Sequence, residues 1–435
     1  MKISPRVLFP VGLALALCAL FVSFLWWQIE SSTALLTMHP EATTRTDSGA
    51  VVIADDPSAI DPRDTALLKL RSGDLLALKG DWKGAETEYQ KSVDAGGGLT
   101  ALRKLAQAQL QRRNIEAVGK TIQKMKQAGA RAEDLLLLES ITLLRSGELL
   151  RAKNLLNGAD DSPQKHYGLS LLAIVQGEHE KAQEELRSVS GGWEPTLRSY
   201  ARTLQAAYDE FALFPEGNNL HLITLLSRAL AQVQECELAI PLLVQVTNSK
   251  EDYRDAWIVQ GYCELVTERY AESLTSLEHA YNIDPQKPEI QYFLGRTYGA
   301  LGEHDNAITF LEYALENGFQ PKSEVQRWIA EEAELAGNTD LVLAQKKALT
   351  EEKDASLQTF EDFIRTAIDL KDAETAYVKA EEAVKRWPED PLSFELLGLA
   401  AQATGHTDEA KSAFEKALQL NPEMAGVREE LEALK

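Results

Sequence analysis

From about residue 64 to the C-terminus, apolar residues recur three or four positions apart with polar residues between them. That spacing predicts amphipathic helices, one after another. A short phrase punctuates them: a glycine, an acid, three further residues and an alanine. It reads Gly80-Asp81-Trp82-Lys83-Gly84-Ala85 and returns at Gly147–Ala152, Gly177–Ala182 and Gly302–Ala307; Gly405–Ala410 is a near copy with His406 in the acidic slot. Glycine suits the end of a helix, where a left-handed backbone costs it least. The acid that follows sits at the positive start of the next helix, and the small alanine lets two helices approach closely. The pattern predicts stacked helix hairpins.

Ahead of this array the pattern changes. Val7 to Trp27 is an uncharged run of 21 residues interrupted by Pro10 and Gly12. At about 1.5 Å per residue it matches the hydrocarbon core of a bilayer. Lys2 and Arg6 precede it, and no Lys or Arg follows until Arg45. The expectation is a retained signal anchor over 1–29, with Lys2 and Arg6 on the cytoplasmic side and Trp26 and Trp27 at the outer interface. The array is then extracytoplasmic, and periplasmic if the cell is Gram-negative. A cleaved signal peptide is the competing reading, but Phe24-Leu25-Trp26-Trp27 is a poor cleavage site. Residues 30–63 are polar, hold Pro40, Pro57 and Pro62, and predict a flexible linker.

Charge and chemistry narrow the function. The chain of 435 residues carries a formal net charge of −22. This disfavours nucleic acid, whose backbone needs a basic surface. The three cysteines, Cys18, Cys236 and Cys263, lie in no metal-ligand spacing. Cys236 and Cys263 fall on neighbouring helices, and disulfide and buried thiols both stay open. The seven histidines form no HExxH, and Gly96–Gly98 lacks the Lys-Ser/Thr of a phosphate loop. The reading is a protein that is not an enzyme, with no cofactor, metal or small-molecule substrate.

A longer period overlies the short phrase. Gly261 and Gly295, Ala280 and Ala314, Ala383 and Ala417, and Pro388 and Pro422 all stand 34 apart. With Trp257, Tyr298, Phe394 and Phe414 beside them, these residues resemble the tetratricopeptide repeat family. The resemblance runs from about Asp64 onward and is clearest at 254–321 and 357–424. It implies an all-α fold, a tetratricopeptide-type helix-hairpin solenoid (superhelix) preceded by one N-terminal transmembrane helix. The expected organisation is an N-terminal repeat lobe over 64–193 with about four hairpins, and an irregular helix and break over 194–219. A C-terminal lobe of about six repeats follows over 220–424, then a capping helix over 425–435. Residues 322–353 form a degenerate repeat turning at Gly337-Asn338 with one extra residue, and Pro241 is expected to kink its helix.

The resemblance also implies a concave groove lined by the first helix of each hairpin, where protein or peptide partners bind. Its groove positions map to Asp255, Ile258 and Tyr262, then Glu289, Tyr292 and Arg296, then Glu361, Arg365 and Asp369. The Lys and Asn residues with which some members clamp a terminal carboxylate are missing there. The expected function is a membrane-anchored scaffold or adaptor in envelope assembly, secretion or export. The alternatives are a chaperone-like binder of extended chains, the same scaffold facing the cytoplasm, or a site hidden in 194–219.

Overall fold

The computed structural model describes residues 62–191, 194–214 and 217–434. Within them are 22 helices. Helices α1 to α12 are Pro62–Leu78, Trp82–Asp94, Gly98–Gln111, Ile115–Gln127, Ala132–Arg145, Leu149–Gly158, Pro163–Gln176, His179–Ser190, Pro195–Ala212, Asn219–Gln232, Cys236–Ser249 and Arg254–Val266. Helices α13 to α22 are Tyr270–Ile283, Pro288–Ala300, His304–Glu316, Lys322–Leu335, Thr339–Thr350, Leu357–Asp369, Ala373–Arg386, Pro391–Thr404, Thr407–Leu420 and Ala425–Ala433. The expected anchor, linker and interface residues Lys2, Arg6, Trp26 and Trp27 lie outside the described residues. Among the described residues no helix is long and apolar enough to cross a membrane.

The hairpins close through one repeated turn. Gly80, Gly302 and Gly405 hold φ values of 79°, 79° and 84°, in the left-handed region. The next residue's amide folds back onto the preceding helix: Asp81 N–H donates to the Leu76 carbonyl at 2.9 Å, and Glu303 N–H to that of Tyr298 at 2.9 Å. This wrap caps the helix end. Asp81 and Asn338 then cap the following helix, accepting from the amides of Gly84 and Leu341. Four hairpins make the same turn without glycine, at Arg113 (φ 57°), Gln234 (69°), Glu268 (61°) and Lys371 (65°). The turns at 268, 302, 337, 371 and 405 are 34 residues apart except for 302 to 337, which are 35 apart. The extra residue therefore falls in the stretch where the sequence spacing put it.

Small residues let paired helices touch. Ala85, Ala152, Ala182, Ala307 and Ala410, the last residue of each phrase, are all 0% exposed. A Cβ on Gly295 would come 2.6 Å from the Leu311 side chain, and one on Gly398 would come 2.3 Å from the Phe414 ring. Hydrogen in place of a side chain sets the helix separation in both hairpins.

The chain divides into two compact units, residues 1–267 and 268–435. The division falls in the turn between α12 and α13, inside the lobe expected over 220–424. Within 194–219, α9 is one uninterrupted 18-residue helix and belongs to unit 1. A single core runs through unit 1 from Ile141 to Cys263, including Leu197, Leu204 and Tyr208 of α9. Pro241 lies inside α11, which spans Cys236–Ser249.

Unit 1 is more than a stack of neighbours. Its α11 packs on α5 and α7, helices far away in sequence. Unit 2 follows the simpler plan, with contacts between successive helices and between α14 and α16 and α18 and α20, the first helices of their hairpins.

Candidate partner-binding surface

In unit 1 two first helices, α5 and α7, are packed against the distant helix α11. Arg145, the last residue of α5, points at the start of α11. Its Nε and Nη2 donate to Glu235 Oε2 and Oε1 at 2.8 and 3.1 Å. Nη1 donates to the Leu110 carbonyl at 3.0 Å, and Nη2 to that of Gln234 at 3.1 Å. Arg113, in the α3–α4 turn, pairs with Glu237 and donates to the same Gln234 carbonyl at 3.4 Å. Three turns, near residues 113, 146 and 234, are thereby tied together.

The electrostatics of this junction are those of a buried ion pair. The Arg145 and Glu235 side chains are 6% and 5% exposed. Burial works against the charged guanidinium, but Glu235 and Glu237 outweigh it and raise the Arg145 pKa above its ordinary value. The two carboxylates also sit at the positive N-terminus of α11. The Tyr167 hydroxyl lies close by, fully buried and without a protein hydrogen-bond partner; burial and then Glu235 push its pKa well up. It is a neutral phenol here and cannot serve as a base.

Unit 2 carries a ladder of side chains across its first helices. Tyr292 of α14 donates to Glu324 Oε1 of α16 at 2.6 Å and accepts from Arg296 Nη1 at 2.9 Å. The Arg296 guanidinium lies 3.3 Å from the centroid of the Trp328 ring on α16, a cation–π stack. Tyr292 also stacks on Phe319, with centroids 4.3 Å apart. Burial is the main cause that raises the Tyr292 pKa, so its hydroxyl stays a donor to Glu324. Further along, Arg365 of α18 bridges Glu361 on its own helix and Glu395 of α20, each at 2.8 Å.

The residues expected to line one groove fall into two sets. Asp255, Ile258 and Tyr262 are on α12 in unit 1; Asp255 is exposed and pairs with Arg254, while Ile258 and Tyr262 are half-buried. Glu289, Tyr292 and Arg296 are on α14 in unit 2. Glu289 is half-buried beside Lys287 at 3.1 Å, and Tyr292 is only 4% exposed. Asp369 is exposed at the end of α18. Sequence reasoning did not single out Glu324, Trp328 or Glu395, the partners that complete the ladder. They sit in the helices where the repeat signature is thinnest or on positions that the neighbouring helix selects. Among the described residues no three His, Cys, Asp or Glu side chains converge as metal ligands.

With this geometry in hand, the repeats are recognisable. Models of the tetratricopeptide repeat match residues 288–317 and 391–424, which are the hairpins α14–α15 and α20–α21 with its following turn. No curated protein matches the sequence. Among solved structures, YrrB, a TPR protein with an unusual peptide-binding site, is 13% identical, covers 43% of this chain and 96% of its own, and has a TM-score of 0.34. The Cut9–Hcn1 hetero-tetramer of the APC/C is 13% identical over 87% of this chain and 92% of its own, with a TM-score of 0.31. TTC0263, a thermophilic TPR protein of Thermus thermophilus, is 16% identical over 47% and 98%, also at 0.31. The described residues are an all-α array of helix hairpins that includes two tetratricopeptide repeats, a repeat type that generally mediates protein–protein interactions.

Proposed function

We propose that this chain is a non-catalytic, membrane-anchored scaffold that holds a polypeptide partner on the first-helix face of unit 2. The observation that carries this reading is the ladder Tyr292–Glu324, Arg296–Trp328 and Arg365–Glu395. It joins the first helices in two pairs, α14 with α16 and α18 with α20. The half-buried Arg296, Trp328 and Arg365, held in place by neighbours that include the buried Tyr292, present a surface whose ordering entropy is already spent, which favours binding. In unit 1 the first helices α5 and α7 are engaged by α11, whereas among the described residues the ladder of unit 2 meets no such helix from elsewhere in its own unit.

The membrane part rests on the uncharged run Val7–Trp27 and on Lys2 and Arg6 before it. Anchoring raises the effective concentration of the array for partners at the same membrane. Envelope assembly, secretion or export is the setting that fits such a tethered array.

A photo-crosslinking amino acid placed at Arg296 or Arg365 tests the binding face, with Lys347 and Val378 on second helices as controls. Val378 is 60% exposed, so a probe there is accessible. A discrete adduct from the first-helix positions and none from the controls is the expected result. Adducts from the second helices alone place the binding surface elsewhere. A smear of many unrelated chains favours a chaperone-like binder over a scaffold.

A further inference from the structure

Cys236 opens α11 and Cys263 lies in α12, and both are 0% exposed. The two helices pack side by side, and the Sγ atoms face each other 2.6 Å apart. The residues on either side of Cys236 are both anchored: Glu235 by Arg145 and Glu237 by Arg113. Cys236 is therefore held at the point where α11 meets the distant turns of unit 1. Burial, and then its neighbour Cys236, pushes the Cys263 thiol well above its ordinary pKa. A protonated, buried thiol is inert to exchange. Any bond between the two must form before the hairpin finishes packing, and then stays out of reach of soluble reductants.

We propose that Cys236 and Cys263 form an intramolecular disulfide that closes while unit 1 folds and staples α11 to α12. The oxidant is a protein or small-molecule disulfide. One cysteine thiolate attacks it, forming a mixed disulfide and expelling one oxidant sulfur. The second cysteine thiolate then attacks the chain's sulfur in the mixed disulfide and releases the other oxidant sulfur. The protein loses two electrons and two protons, and the oxidant gains both and leaves as two thiols. The bond is structural and not a switch, because both sulfurs lie in the core. The proposal leans on the extracytoplasmic placement only for the compartment that supplies the oxidant.

The test begins with the full chain, denatured, reduced and refolded with oxidised glutathione. It is then denatured again, blocked with N-ethylmaleimide and mapped by peptide mass spectrometry. The expected product is one cross-linked peptide joining Cys236 to Cys263, with Cys18 labelled. Label on both Cys236 and Cys263, or their pairing with Cys18, overturns the proposal. Oxidised wild type should also melt higher than reduced wild type, a difference that vanishes in Cys236→Ala; equal melting of the two wild-type forms counts against a staple. The same mapping on protein drawn directly from cells reads the compartment separately. Pairing in the refolded chain with free thiols in the cell overturns the extracytoplasmic placement and leaves the pairing intact.

Discussion

Four residues do a glycine's job in this chain. Arg113, Gln234, Glu268 and Lys371 sit at φ between 57° and 69° in turns where Gly80, Gly302 and Gly405 are found elsewhere. A side chain in that region costs about 1 kcal/mol, which the packed hairpin over-determines. At exposed Lys371, Lys371→Gly should therefore raise the unfolding free energy by about 1 kcal/mol, read as a higher urea midpoint at unchanged slope. These positions also explain what a motif search leaves out. Glycine marks a turn in the sequence because of its freedom, whereas Gln234 or Lys371 in the same conformation has no compositional signature. A second residue-scale test concerns His179. Its ring lies edge-on to Tyr208 of α9, with Nδ1 3.2 Å from the hydroxyl, and burial lowers its pKa below 6.5. The unfolded chain then takes up a proton more readily than the folded one. Stability is full above about pH 6.5 and falls as the pH drops below it toward the folded-state value. Denaturant melts at neutral and mildly acidic pH should show this loss, and His179→Gln should flatten it relative to wild type.

Between elements, hairpin pairing and the glycine-marked turns were readable from the chain. The alanines of the repeated phrase are fully buried because that slot is where two helix axes come nearest. The packing of α11 on α5 and α7 was not readable. Its bonds join Arg145 to Glu235, 90 residues on, and Arg113 to Glu237, 124 residues on. No local period encodes such pairs, and both arginines read as ordinary turn and helix-end charges. A buried pair that loses one member leaves an uncompensated charge, at a cost of about 3 kcal/mol or more. Glu235→Gln leaves Arg145 only the more distant Glu237 carboxylate at 3.8 Å and should destabilise the protein by up to about 3 kcal/mol in chemical denaturation. The loss should change little between low and high salt, since the pair is hardly exposed. A salt-sensitive effect would mean that the junction is open to solvent.

Across the whole molecule, charge sets the conditions of action. A net charge of −22 steers the protein away from polyanions. Membrane orientation remains part of the proposed function, and a reporter fused after Lys435 reads it directly. Activity of a reporter that works only outside the cytoplasm is the expected outcome; activity of a cytoplasm-only reporter reverses the placement.

Periodicity alone determined that this chain is a series of helix hairpins about 34 residues long, because each hairpin is specified by its own apolar stripe, turn and small contact residues. That information is local, so it survives in the order of residues. The tertiary structure decided which distant helices meet. It brought α11 against α5 and α7, set Cys236 against Cys263, and left the Tyr292–Arg296–Trp328 ladder on unit 2. Those outcomes depend on which surfaces meet after the chain has folded back on itself. Arg145 and Glu235, 90 positions apart, carry no shared pattern that announces their meeting.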